Sequence, residues 1–455
     1  LRLRYRDAAI DLWGVPILWT PYLSMPDPSA PRQSGFLTPS FGATRRLGPF
    51  IETPYYWVID ETQDITLSPL ISGDMLPHLG AAWRRRFNAG EVAVAGSVGD
   101  RRGLSFPDER GVGGHIFARG VFALDQTWRA GFNINRATSE DYLRTYRHEA
   151  PRVLPSNAFL EGFWGATAYA RVDVRAYQGL RSLDDTGLTP LVLPNAFAEQ
   201  VLRDGLGGAW TLDAGAFSIL RRRGTDSRRV ATRAAYDLPL IDALGSAWTL
   251  RGQADALAYG ASDLNLAPGF ADVSSASGVR GNLRLALDWR LPLIRAAGEG
   301  AHQILEPRLQ LVSGPSTGLQ RRMPNEDSLD FEFTDANLFA LSRFGGRDRM
   351  EGGTRIDAAL RSAWQFPGGR GAEALIGRSV RLAGETSFEP GTGLDRHASD
   401  WVGRVSVQPA EWLDLTARGR FDGQGLEARL LDGTATVSLG RTSLAGRYLQ
   451  SYPSP

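Results

Sequence analysis

From Asn282 to Leu291 the chain reads N-L-R-L-A-L-D-W-R-L, an alternation of apolar and polar residues. Leu283, Leu285, Leu287, Trp289 and Leu291 share one parity; Asn282, Arg284, Asp288 and Arg290 share the other. A rotation of about 100° per residue would scatter those apolar side chains around a helix, whereas about 180° gathers them on one face. The segment is predicted to be a strand. The same period places Ala168, Ala170, Val172, Val174 and Ala176 opposite Tyr169, Arg171, Asp173, Arg175 and Tyr177. It sets Trp248, Leu250, Ala254 and Ala256 against Thr249, Arg251, Gln253 and Asp255, and Leu413, Leu415 and Ala417 against Asp414, Thr416 and Arg418. Leu305, Leu309 and Leu311 likewise oppose Glu306, Arg308 and Gln310. Turn-rich stretches at 182–189, 260–277, 314–327, 368–371 and 389–395 separate these segments. Helical βαβ spacing is not evident, so the chain is expected to be all-β.

Two all-β architectures give this alternation. A soluble sandwich or solenoid buries one strand face and wets the other. A membrane barrel turns the apolar face to lipid and the polar face to a lumen. Three features favour the barrel. Several strands run longer than the usual five or six or so residues. Their polar faces carry Arg, Asp and Gln, as a water-filled lumen allows. Aromatic residues gather near strand ends, at Pro54-Tyr55-Tyr56-Trp57, Phe163-Trp164 and Glu411-Trp412, as an interfacial girdle requires. With about 9–11 residues per crossing plus a turn, 34–455 would supply roughly twenty strands. The expected fold is a large antiparallel transmembrane β-barrel of the outer-membrane type.

Composition narrows the function. The formal net charge of +1 gives no global attraction for nucleic acid. Lysine is absent, so every fixed side-chain cation is an arginine, a residue suited to bidentate phosphate or carboxylate contacts and common in GC-rich coding. Cysteine is absent, which excludes disulfides and thiolate metal sites within this chain. Five histidines are scattered, with no HExxH, and no nucleotide-binding loop is found. No metal, no cofactor and no enzymatic chemistry are expected, and energy for any transport must come from elsewhere. No window approaches the roughly 18 apolar residues of a membrane helix. The chain starts inside apparent strand sequence with no leader-like segment, and is expected to be a fragment.

Residues 1–25 break the pattern, with apolar residues on both faces at 15–19 (V-P-I-L-W), and PDPSAPR at 26–32 is a stiff proline-rich connector. The segment is read as the end of a separate β-domain or as a buried stretch next to the barrel.

Local sequence adds a resemblance. VPILWTPYLSMPDP (15–28), SGFLTPSFG (34–42) and PYYWVIDETQDITLSPLIS (54–72) resemble the junction and opening strands of the LptD family of outer-membrane LPS-assembly proteins. NEDSLDFEFTDANLFALSRFGGRDRMEGGTRI (325–356) is similar to that family's acidic long loop, and ALIGRSVRL (374–382) and GLDRHASDWVGRVSV (393–407) follow in the same order. The resemblance implies a translocon that inserts lipopolysaccharide (LPS) into the outer leaflet through a lateral gate in the barrel wall. It implies an LptE-like lipoprotein plug in the lumen and a periplasmic bridge protein docking on an N-terminal jellyroll. Residues 1–25 would then be the end of that periplasmic jellyroll, 26–33 a linker and 34–455 the outer-membrane barrel without its last strands. Two features depart from the family: the chain ends SYPSP, with no aromatic-tipped closing strand, and it lacks the family's cysteines. The alternative is a porin-type or TonB-dependent channel for small solutes, which needs no separate plug. A soluble β-rich adhesin is a third class.

Candidate sites follow. Pro39 and Pro54 match prolines of the family's first two barrel strands. Each deletes one ladder donor, which would loosen a lateral gate or simply mark an edge or bulge. The acidic run Glu326, Asp327, Asp330, Glu332 and Asp335 meets Arg343, Arg347, Asp348, Arg349 and Glu351. It lacks the spacing of a calcium loop and is expected to be a luminal or plug-contacting loop with internal ion pairs. Ile17 and Trp19 are candidates for an acyl-chain groove, against ordinary core packing. The triplets Arg84–Arg86 and Arg221–Arg223 would contact phosphates or be solvated strand ends.

Overall fold

Nearly every strand pairs antiparallel with a neighbour close in sequence. The computed structural model describes residues 2–12, 15–26, 32–101, 111–181, 183–267, 270, 272–298, 300–320, 323–328 and 332–452. They divide into two units, 1–163 with 171–193, and 164–170 with 194–455.

In the first unit, Arg2–Leu12 and Val15–Pro26 form a two-stranded sheet of their own, paired from Arg2↔Pro26 to Leu12↔Val15. A broken hairpin over 35–58 follows. A meander then runs through Gln63–Ser72, His78–Phe87, Gly90–Asp100, Val112–Ala123, Trp128–Ala137 and Val153–Trp164. The connection 138–152 holds the helix α1 (Glu140–Thr145). Ser139 caps it by accepting from the Tyr142 amide, and Glu140 and Asp141 sit in the first turn, where the helix dipole favours carboxylates. Six residues are too few for a helix to stand on propensity alone. Burial supplies the rest: Tyr142, Leu143 and Tyr146 pack with Leu47, Phe50, Leu70, Leu154 and Leu180 in one core cluster.

In the second unit, strands of up to 16 residues pair in chain order, from Ala209–Leu220 to Thr442–Ser451. Asp226–Ile241 and Ala247–Ser262 keep one register from Asp226↔Ser262 to Ile241↔Ala247. Such strands exceed the roughly 9–11 residues that cross a bilayer. Short turns (242–246, 367–369, 440–441) alternate with long loops (263–274, 314–353, 384–400). In the two-residue turn before Thr442, Gly440 takes φ +60°, the mirror-turn conformation that matches sheet twist.

The parity read from sequence is present, and the structure adds which face points out. On Ser275–Arg290, Leu283, Leu285 and Leu287 are 53, 56 and 43 % exposed, while Asn282, Arg284 and Asp288 are 5, 2 and 4 % exposed. Polar side chains are covered and leucines are open, the inverse of a soluble β-protein. The exceptions have a local cause. Leu257 shares the parity of Gln253 and Asp255, yet is buried because Met323 and Met350 of the long loop 314–353 pack on it with Ala231. The all-β class expected from alternation is therefore the class observed, with strand lengths, turns and facing of the outer-membrane barrel type. Among the described residues the helical exceptions are α1 and the single turn Leu264–Leu266, and no helix is long and apolar enough to cross a membrane.

Candidate functional site

The hairpin that opens the barrel sequence is broken at mid-height on both strands. Its outer half pairs Ser40↔Glu52 through Thr44↔Gly48, and its inner half pairs Gly35↔Tyr56 and Phe36↔Tyr55. Between the halves, residues 37–39 face 53–54 without a ladder, and Pro39 and Pro54 both lie in that gap. One bond crosses it, from the Leu37 amide to the Pro54 carbonyl at 2.9 Å. Proline has no N–H to give and three residues oppose two, so the ladder cannot continue. The next strand, Gln63–Ser72, is continuous and spans the gap, and its Pro69 carbonyl accepts from the Thr53 amide at 3.1 Å. Pro49 and Pro69 are two further prolines in these opening strands that the sequence reading passed over. They sit inside short apolar runs that look like ordinary strand, and their number within 39–69 was the signal available. The hairpin's side chains are open and apolar, with Phe36 74 % and Phe41 81 % exposed.

The acidic loop lies on the covered polar face of the second unit. Arg221 holds Glu326 at 2.9 Å, and Ser227 donates to the same carboxylate at 2.9 Å. Arg229 pairs with both Asp327 and Asp348, and Arg347 reaches Asp213. Glu332 pairs with Arg420 at 3.1 Å, and Asp335 with Arg404 at 3.2 Å and Arg418 at 3.5 Å. Asp330 lies outside the described residues. Arg349 donates instead to the carbonyl of Met323 at 3.0 Å. Arg343 is buried against Glu351, which also pairs with Arg355 at 3.1 Å. Of the internal ion pairs expected, Arg343–Glu351 is of that kind; most others tie the loop to arginines of the strands. A carboxylate laid on a wall that already carries inward arginines meets them before it meets the loop's own cations. Burial works against the charge on Asp327, yet Arg229 and the amides of Asp348 and Arg347 hold its carboxyl below the usual range. Burial and the neighbouring Asp327 push Asp348 up, against Arg229. Among the described residues, no group of three or more His, Cys, Asp or Glu is arranged to hold a metal ion.

Other sequence candidates sit apart from these two features. Ile17 is on Val15–Pro26, but its side chain lies outside the described residues; Trp19 on the same strand is 61 % exposed. In the first basic triplet Arg84 pairs with Asp64 at 3.1 Å and Arg85 lies over the Phe87 ring. In the second, Arg221 is engaged with Glu326, whereas Arg222 and Arg223 are exposed.

A sequence model of the family described as LPS transport system D, LptD, matches residues 111–455. The chain belongs to the LptD family. It is 27 % identical over 373 residues to the LPS-assembly protein LptD of Thiobacillus denitrificans, covering 78 % of this chain and 48 % of that protein. It is 25 % identical over 437 residues to the LPS-assembly protein LptD of Nitrosomonas eutropha, covering 90 % of this chain and 57 % of that protein. The chain thus spans about half the length of these LptD relatives.

One cluster in this LptD-family chain escaped the sequence reading altogether. Three of its five histidines, scattered along the sequence, meet beside α1. The His148 ring centroid lies 4.2 Å from that of His115 and 6.2 Å from that of His78. His78 stacks on Tyr146 at 4.1 Å, and Ser97 Oγ bridges His115 Nδ1 at 2.6 Å and Tyr142 Oη at 2.8 Å. Both ring nitrogens of His78 are buried without a hydrogen-bond partner. Burial pushes His148 below its ordinary value of 6.5, with the Glu52 carboxylate opposing. A histidine whose folded value is lowered stabilises the fold fully above its unfolded value and loses that contribution as pH falls through the folded one. The thermal midpoint in one detergent should therefore be lower at pH 5 than at pH 8. His148→Phe should flatten that difference; an unchanged slope would remove His148 as its source.

Proposed function

We propose that this chain builds the wall of an outer-membrane translocon that delivers LPS to the outer leaflet, and that the broken hairpin is one side of its lateral gate. The observation that carries the reading is the paired gap at Pro39 and Pro54 in an LptD-family chain whose strands turn leucine outward and arginine inward. An amphiphile with a large charged head cannot cross an intact lipid-facing wall, because every parted ladder bond and every buried charge costs free energy. A seam with missing donors lowers that cost where it is needed. The arginine-lined inner face offers guanidinium groups to phosphates along the way.

In this reading an LptE-like lipoprotein fills the part of the lumen not taken by the loop 314–353, and a periplasmic bridge protein supplies LPS to a jellyroll that 1–25 completes. Ile17 and Trp19 belong to the acyl-chain path of that domain. Phe36, Phe41 and Trp57 give the parted hairpin an apolar face towards the leaflet.

Replacing Pro39 and Pro54 together by alanine restores two amide donors, each worth about 0.5–1.5 kcal/mol when paired. The expected result is a stiffer seam, reduced LPS at the cell surface and slower growth. Surface LPS measured by accessibility to an external probe provides the test. Unchanged export with normal protein levels would sink the gating role.

A further inference from the structure

The outer half of the broken hairpin is joined to the next strand along a short ladder. Its ladder to Gln63–Ser72 has three pairs, Phe50↔Ser72, Ile51↔Ile71 and Glu52↔Leu70, continued by the Gly73 amide to the Pro49 carbonyl at 2.9 Å and the Asp74 amide to the Leu47 carbonyl at 3.3 Å, and the proline gap cuts it from the inner half. Beyond those two backbone bonds, side chains join its tip to α1. Arg46 Nη2 lies 2.8 Å from Asp141 Oδ1, and its Nη1 donates to the Asp141 carbonyl at 3.0 Å and to Thr145 Oγ1 at 3.1 Å. Leu47 beside it is fully buried among Tyr142, Leu143 and Tyr146. Thr44 Oγ1 accepts from the Leu47 amide at 3.1 Å, and Gly48 takes φ +63°, so the turn is shaped to present Arg46 and Leu47 together. Arg147, just past α1, adds a cation over the Phe50 ring at 5.4 Å.

The helix, by contrast, is seated firmly. Tyr142 and Tyr146 fill hollows left by Gly113 and Gly99, where an added Cβ would stand 2.7 Å and 2.8 Å from the two side chains. Tyr146 Oη donates to the Asp100 carbonyl at 3.1 Å, and the Glu140 amide to the Leu180 carbonyl at 3.3 Å. One partner is anchored in the sheet and the other is broken at its mid-height.

We infer that α1 is a latch: it grips the tip of 40–52 through Arg46 and Leu47, and the flap swings about the Pro39/Pro54 gap only when that grip opens. The grip suits this task. A guanidinium–carboxylate pair still partly open to water and one leucine are strong enough to define a closed position and weak enough to let go. The inference rests on the gate reading, and the experiment separates the two.

Arg46→Cys with Asp141→Cys, placed in the full-length protein, allows the latch to be closed by a bifunctional thiosulfonate and reopened by a reductant. The chain contributes no other cysteine. The closed form is expected to lose LPS export and to recover it on reduction, while either single-cysteine variant exports with or without the reagent. Heat-modifiable gel mobility reports whether each variant is folded. A second variant, Arg46→Ala, is expected to admit large antibiotics without loss of folded protein. Export by the cross-linked form at the uncross-linked rate overturns the latch. If the Pro39→Ala/Pro54→Ala protein is impaired in that case, the gate survives without it. If the cross-link blocks export while the proline variant is normal, the latch holds and the hinge is not at the prolines.

Discussion

Arginine at Leu283 is expected to destabilise the folded protein by about 2–4 kcal/mol in a bilayer, the cost of a cation at the hydrocarbon midplane. Leu283 is the middle of a row that runs Val279, Gly281, Leu283, Leu285, Leu287 along the open face of Ser275–Arg290. Its cross-strand partner is Ala254, too small to shield an added guanidinium. Among the described residues of Ala247–Ser262 and Ser275–Arg290 no carboxylate shares that face: Asp255 and Asp288 are on the other and are buried with arginines. The same change at Ser277, of equal parity but near the long-loop end, should cost about 0–1 kcal/mol, because depth sets the penalty. Denaturant titration of both variants refolded into vesicles measures the difference. Equal costs at the two positions would mean that the exposed leucines do not face lipid.

That test bears on what the sequence could and could not say. Periodicity placed Leu283 and Arg284 on opposite faces, because side chains alternate along any strand whatever surrounds it. It did not say which face is open, since a sandwich and a barrel give one pattern. The ends of strands, with their aromatic residues, and the strand lengths tipped that choice. Pro39 and Pro54 were legible as breaks because a missing N–H is a property of the residue itself and needs no partner to be known.

Interactions across long sequence separations were not legible. Arg46 looked like one arginine of a turn, and its partners Asp141 and Thr145 lie 95 and 99 positions away. The histidine cluster joins strands that begin at His78 and Val112 with the connection after α1, and only the packed sheet brings those residues together. For the acidic run, the sequence located the charges but not their partners. Arg221, Arg229, Arg404 and Arg420 share parity and composition with many other arginines, and the fold of the loop decides which of them Glu326, Asp327, Asp335 and Glu332 meet. Leu257 and Val402 show the converse: apolar residues at the covered side make sense only once the loops that bury them are in place.

Glu351→Gln should be the most damaging single change in that loop, at about 3–5 kcal/mol, the usual cost of leaving a buried charge without its partner. The Glu351 carboxylate accepts from the Arg343 amide at 2.9 Å and from its Nε at 3.1 Å, and pairs with Arg355 at 3.1 Å. The side chains of Arg343, Arg355 and Glu351 are 3, 5 and 4 % exposed, so water cannot replace the lost charge. Asp357 remains, 3.1 Å from Arg355 but 3.9 Å from Arg343, one carboxylate for two guanidinium groups. The backbone carbonyl of Glu351 also accepts from Asn282 and Arg284 at 3.0 Å each, so any shift of this residue loosens the loop from Ser275–Arg290. Burial alone would raise the carboxyl's value, but Arg343 and Arg355 hold it below the ordinary 4.5. A lowered carboxylate stabilises the fold above its unfolded value and loses that contribution as pH falls through the folded one, so acid should reproduce the variant's loss by degrees. Glu427→Gln is the control. Its side chain is 73 % exposed and 3.5 Å from Arg429, and removing its charge should cost no more than about 1 kcal/mol. Thermal unfolding in detergent compares the two, and proteolysis within 314–353 reports whether the loop has left the wall. A Glu351→Gln protein as stable and as protease-resistant as Glu427→Gln would show that the buried pair does not hold the loop.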